Sequence, residues 1–167
     1  MKVKFNGNDV TLQGHTVEVG ERVPDFKAVN HDLETVDSSS FKGKRVFISV
    51  PSVDTPVCDT EVRRFNEEAT KYKDAKVYVI SMDLPFAQQR WCGSHGIENV
   101  MVLSDYKTRN FGQNFGTYIE ELGLLTRAVF VVDHNDEVIY VEYCEEVTHE
   151  PNYEAVLSIL GEEGYRQ

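Results

Sequence analysis

The chain has 167 residues, 41% of them hydrophobic and 27% charged, which fits one ordinary domain with a buried core and excludes a disordered chain. Its 17 basic and 28 acidic residues leave a net charge of −11, which argues against a nucleic-acid backbone or an anionic membrane as the main partner. The longest apolar run, Ala128 to Val132, is far short of a bilayer span, residues 1–6 lack the apolar block of a signal peptide, and the sequence points to the cytosol.

The elements follow in chain order. Two short extended pieces, residues 2–5 and 10–12, flank the turn signal Asn6-Gly7-Asn8-Asp9 and predict an N-terminal hairpin. Residues 37–40 are polar and read as a loop. Val46-Phe47-Ile48-Ser49-Val50 reads as a buried strand stopped by Pro51. A helix is expected over residues 56–72, with Cys58, Val62, Phe65, Ala69 and Tyr72 as its apolar stripe. A strand over 76–82 and a short helix over 85–92, closed by Gly93, come next. Residues 100–103 read as a short strand and 107–115 as helical. Ala128 to Val132 is a buried strand, and residues 137–143 are its hairpin partner. Residues 152–160 form a closing helix that ends near Gly161. This order predicts an α/β domain in three layers around a mixed sheet.

The three cysteines, Cys58, Cys92 and Cys144, are odd in number and too widely spaced for a disulfide framework. In a reducing compartment each is a core residue, a metal ligand or a redox group. Thr55 is a good N-cap and Pro56 a good first helical residue, which puts Cys58 third in the helix. There the unpaired backbone N–H groups and the positive end of the helix dipole favour a thiolate. Cys58 also continues the apolar stripe, so position alone favours a small core cysteine.

Pro51-x-x-x-Thr55-x-x-Cys58, between a strand and a helix, resembles the active-site pattern of the peroxiredoxins. Val23-Pro24-Asp25-Phe26 resembles that family's opening motif, and Phe41-Lys42-Gly43-Lys44 with the strand after it resembles its first core strand. Arg127 matches the family's second active-site arginine, and Cys92 lies 34 residues beyond Cys58, as a resolving cysteine does. With the hairpin, the whole chain is similar to the thiol peroxidase branch, of the atypical two-cysteine type. The resemblance implies a thioredoxin-like fold over residues 1–167, with residues 1–15 as a hairpin extension. It implies reduction of hydrogen peroxide and alkyl hydroperoxides by Cys58, through a sulfenic acid and a Cys58–Cys92 disulfide. Thioredoxin as reductant and a homodimer follow from the same likeness, and no metal, haem or flavin is implied.

In that scheme Thr55 supplies a hydroxyl to the peroxide, Pro51 shields the pocket, and Arg127 stabilises the thiolate and donates to the peroxide. Taken by position, Arg127 only ends an apolar strand. Arg63 and Arg64 project away from Cys58. Cys92 is otherwise a plain helix-end residue or half of a Cys92-x-x-His95 ligand pair, for which no second pair is in evidence. Cys144 has no role in the pattern and reads as structural. His15, His31, His134 and His149 read as surface residues, as do Glu120-Glu121, Glu145-Glu146 and Glu162-Glu163. A thioredoxin-like disulfide exchanger is disfavoured because Asp59-Thr60-Glu61, and no nearby cysteine, follow Cys58. A redox sensor using the same disulfide is the non-enzymatic alternative.

Overall fold

The computed structural model of the chain describes residues 1–69, 71–72 and 75–166, without the side chains of residues 69 and 162–166. The element order is β1 (Lys2–Phe5), β2 (Asn8–Gln13), β3 (Lys27–Val29), β4 (Thr35–Asp37), β5 (Arg45–Ser49), α1 (Pro56–Ala69), β6 (Lys76–Ser81), α2 (Pro85–His95), β7 (Val100–Ser104), α3 (Asn110–Phe115), β8 (Tyr118–Ile119), β9 (Leu124–Leu125), β10 (Ala128–Val132), β11 (Val138–Tyr143) and α4 (Tyr153–Arg166). The central sheet runs β11-β10-β5-β6-β7-β3-β4, and a second sheet runs β1-β2-β8-β9. β5, β6 and β7 are parallel, while β10, β11, β3 and β4 join antiparallel. The central sheet is therefore mixed, as expected.

β10 and the Val46-Phe47-Ile48 stretch of β5 read as apolar runs because both faces of these strands are covered. Alternate residues serve opposite layers. Val46, Ile48, Val79, Val129 and Val131 pack with Val62 and Phe65 of α1, Trp91 and Cys92 of α2, and Val156 and Leu160 of α4. Phe47, Tyr78, Ile80, Phe130 and Val132 pack on the other face with Phe26 and with Phe111 and Phe115 of α3. The Phe26 ring meets those of Phe47, Phe111 and Phe115 edge-on at centroid distances of 5.0–5.6 Å, a favoured aromatic geometry.

The hairpin forms as predicted: Asn6 and Gly7 both take positive φ, 51° and 81°, which a two-residue turn between right-twisted strands requires. It is sewn into the domain. β2 pairs with β8, and the Glu146 carboxylate accepts from the N–H groups of Asn6 and Gly7 and from Thr148. These bonds hold the Glu146 carboxyl down at about 2, so this residue is an anchor and not the free surface charge expected. Glu121 likewise accepts from the Thr11 N–H and hydroxyl.

Several boundaries differ from expectation. Residues 37–40 are no loop: Asp37 ends β4 and caps the 3-10 turn Ser38–Ser40 through its carboxylate. α2 runs past Gly93 to His95, because Gly96, at φ 63°, is the residue that takes the left-handed cap. α3 begins only at Asn110, since Asp105 reaches over to accept from the N–H groups of Phe111 and Gly112. α4 passes through Gly161, which has open space around it among the described residues and keeps its helical conformation. α1 is described over Pro56–Ala69 and does not take in Tyr72, and the expected inward position of Ala69 lies outside the described side chains, as do Glu162 and Glu163.

Candidate active site

Thr55 caps α1 as its position predicts. Its Oγ1 accepts the Cys58 N–H at 3.1 Å, and its carbonyl accepts the Asp59 N–H at 2.9 Å. Pro51, two residues past β5, is buried, and residues 52–54 join it to Thr55 at the start of the helix. Cys58 follows in the first turn and is fully buried.

Arg127 comes from the segment between β9 and β10. Ser49 of β5 donates to the Thr126 carbonyl at 2.8 Å and so fixes the approach to Arg127. The Arg127 side chain is only 2% exposed. Its Nε donates to the Val147 carbonyl at 2.7 Å, its Nη1 to Glu61 at 2.6 Å and its Nη2 to Cys58 Sγ at 3.2 Å. Burial alone would lower the guanidinium pKa, but the Glu61 carboxylate and the Cys58 sulfur more than offset it, and the group is held charged.

Glu61 is the site residue that sequence reasoning passed over. One helical turn after Cys58, it is fully buried, and its Oε2 has no hydrogen-bond partner among the described residues. Burial pushes its carboxyl up to about 7 against the pull of Arg127. The signal was available: position 61 lies three residues after Cys58 and four before Phe65, on the inward stripe, where an acid needs a buried cation.

Thr55, Cys58, Arg127 and Glu61 thus form one cluster. Pro51 leads into it. Cys92 is not bonded to it: Cys58, Cys92 and Cys144 are all free thiols. Cys92 lies on α2 in the same core layer as Cys58, 9% exposed, and burial pushes its thiol up to about 11. The two thiols therefore differ in kind, Cys58 facing a permanent cation and Cys92 an apolar surround. The ligand-pair reading of Cys92 finds no support in the geometry, because the ring nitrogens of His95 face the Trp91 carbonyl at 2.9 Å and Asp59 at 3.5 Å. Cys144 is buried beside Glu142, its thiol pushed up by burial and by that carboxylate. Arg63 and Arg64 are exposed, as are His15, His134 and His149, whereas His31 is half-buried. Among the described residues, no helix is long and apolar enough to cross a membrane.

A cysteine sulfur beside a buried guanidinium, at a capped helix start, is equipped for nucleophilic attack on an electrophile whose leaving oxygen gathers charge. Comparison with known proteins agrees with that chemistry. The Redoxin family profile matches residues 18–157. A thiol peroxidase of Clostridium acetobutylicum is 59% identical over 157 residues, covering 94% of this chain and 96% of the relative. A thiol peroxidase of Bacillus subtilis is 53% identical over 154 residues, 92% of each chain. A crystal structure of a peroxiredoxin-like protein from Aquifex aeolicus superposes with a TM-score of 0.90 at 42% identity over 96% of both chains. The thiol peroxidase of Chromobacterium violaceum, at 21% identity, shares the fold with a TM-score of 0.91 over 100% of this chain and 99% of that one. The chain belongs to the Redoxin family, within it to the thiol peroxidases, and is a thiol-dependent peroxidase of thioredoxin-like fold.

Proposed function

We propose that Cys58 is the thiol that reacts with peroxide and that Cys92 resolves it. The Cys58 thiolate attacks the outer oxygen of hydrogen peroxide or an alkyl hydroperoxide. The O–O bond breaks, the leaving oxygen takes a proton and departs as water or alcohol, and Cys58 becomes a sulfenic acid. Arg127 stabilises the thiolate and donates to the peroxide oxygens, Thr55 offers its hydroxyl, and Pro51 keeps water from the pocket. The Cys92 thiol then displaces water from the sulfenic acid to give the Cys58–Cys92 disulfide. An external dithiol protein, thioredoxin in this reading, takes up the oxidation and returns both thiols. Residues 1–167 act as one domain, residues 1–15 being an extension of it, and the enzyme works as a cytosolic homodimer.

The observation that carries this reading is the 3.2 Å contact of Arg127 Nη2 with the buried Cys58 Sγ. The high thiol pKa of Cys92 supports the order of roles, since the thiolate is the nucleophile. The test is peroxide consumption with thioredoxin, thioredoxin reductase and NADPH, run with hydrogen peroxide and with a bulky alkyl hydroperoxide. Many turnovers per chain are expected from the parent and none from Cys58→Ser. A single turnover in the parent would instead favour a sensor.

A further inference from the structure

The loop that carries Pro51 and Thr55 is held by a carboxylate from elsewhere in the chain. Asp83 lies between β6 and α2. Its Oδ1 accepts from the Ser52 hydroxyl at 2.7 Å, and its Oδ2 accepts from the Val53 N–H at 2.9 Å and the Ser81 hydroxyl at 2.7 Å. Ser52 in turn anchors Thr55. Its carbonyl accepts from the Thr55 N–H and the Thr55 hydroxyl, each at 3.4 Å, and its Oγ accepts from the Asp54 N–H at 3.1 Å. Thr55 Oγ1 then accepts the Cys58 N–H. One run of hydrogen bonds leads from Asp83 through Ser52 and Thr55 to Cys58.

The far side of the carboxylate leads to α2. Ser81 Oγ accepts from Gln88 Nε2 at 3.0 Å, and Gln88 is fully buried one turn ahead of Cys92. Asp83 is therefore fixed from behind by β6 and α2 and presents both oxygens to the Cys58 loop. The long 3.4 Å bond from the Thr55 hydroxyl to Ser52 leaves that proton easy to redirect to a bound peroxide oxygen.

We propose that Asp83 is a positioning residue for the peroxide reaction, setting the Ser52–Thr55 loop so that the Thr55 hydroxyl faces the peroxide at Cys58. This rests on the reading of Cys58 as the peroxide-reacting thiol. Misplacing a donor by an ångström can lower a rate about 10²-fold, so the effect reaches the chemistry although Asp83 touches no reacting atom. Asparagine is a graded substitute. It can serve Val53 and Ser81 with its oxygen only by turning its amide nitrogen to Ser52, whose hydroxyl proton then loses its acceptor.

The test compares two reactions of Cys58 under single-turnover conditions: oxidation by hydrogen peroxide, and alkylation by iodoacetamide, which has no use for the Thr55 hydroxyl. Asp83→Ala should lose peroxide rate by about 10- to 100-fold while alkylation changes little. Asp83→Asn should show a smaller, equally selective loss, and it carries the test should the alanine variant fail to fold. Ser104→Ala removes the bond to the Asp83 backbone carbonyl without touching the loop, and should leave the ratio of the two rates unchanged. A parallel loss of both rates, no loss of either, or the same selective loss in Ser104→Ala would overturn the inference. Mass spectrometry of the parent in the same run separates the two layers. An unoxidised Cys58 there overturns the reading of Cys58 and this inference with it. A parent that oxidises beside an equally reactive Asp83→Ala overturns this inference alone.

Discussion

Arg127 Nη2 lies 3.2 Å from Cys58 Sγ across 69 residues of sequence, with both side chains withdrawn from water. A hydrogen bond from a charged donor is electrostatically stronger in a low-dielectric interior, so this contact counts for more here than on a surface. The guanidinium is further fixed by the Val147 carbonyl and Glu61, which leaves it little freedom to reorganise during the reaction.

Arg127→Ala should fold and lose most of its peroxidase rate. Removing one donor of this kind costs about 3–4 kcal/mol, or 10²–10³ in rate. Glu61 would be left without its cation, but a buried carboxyl can keep its proton, which limits the damage to stability. Peroxide kinetics beside a thermal melt check this. A near-normal rate would reduce Arg127 to a structural charge.

Cys58→Ser should abolish turnover, because a serine hydroxyl is not ionised near pH 7 and cannot replace the thiolate. Substantial peroxide consumption by this variant would refute the assignment of the site.

Glu61 makes a prediction about pH. Its usual value is 4.5, and in the folded protein burial lifts it to about 7. Between those values the folded state keeps a proton that the unfolded chain has released. Stability therefore falls as pH rises from about 4.5 to about 7, and levels off above that. Glu61→Gln has no such group. The difference in Tm between parent and variant should change across this window and be constant outside it. A constant difference throughout would show that Glu61 titrates alike in the folded and unfolded states and is not shifted by burial.

Much of this was legible in the residues, and the parts that were not share a cause. β5, β6 and β10 stood out because burial on both faces gives them apolar runs. β3, β4, β8 and β9 are two or three residues long, too short to show any alternation. The N-cap at Thr55 and the helix-start place of Cys58 are local features and were read directly. Arg127 becomes a site residue only through a fold that brings β10 beside α1, and on sequence it needed a family likeness. Asp83 is further out of reach, since its partners Ser52 and Val53 lie 31 and 30 residues away and no local pattern marks them. Gly93 and Gly161 misled because a glycine permits a helix end without requiring one.

Cys92→Ser should complete one oxidation and stop at the Cys58 sulfenic acid. Cys144→Ser should behave like the parent, because Cys144 faces Glu142 and its thiol is held protonated. Mass spectrometry after one equivalent of peroxide reads both. A Cys58–Cys144 disulfide in the parent would refute the choice of resolving residue.

Disulfide formation should also move α2. A disulfide needs Cα atoms within about 7 Å and a defined torsion, and both cysteines are free here, each set in a helix packed on the sheet. Cys58 must stay at its helix start to meet peroxide, so the change falls on the helix turns around the two thiols. α2 has 11 residues, which is marginal for a helix without tertiary support. Its last turn depends on Cys92 itself, whose carbonyl accepts the N–H groups of Gly96 and Ile97. The same turn is tied to the Cys58 helix by His95 Nε2, 3.5 Å from Asp59, and the His95 ring stacks on Trp91 at 4.7 Å. Unwinding that turn separates Trp91 from His95 and exposes an indole now only 6% accessible. Stopped-flow fluorescence of this single tryptophan should show a peroxide-driven change that Cys92→Ser reduces or removes. An unchanged Trp91 signal during disulfide formation confirmed by mass spectrometry would show that α2 stays wound and that the first turn of α1 moves instead.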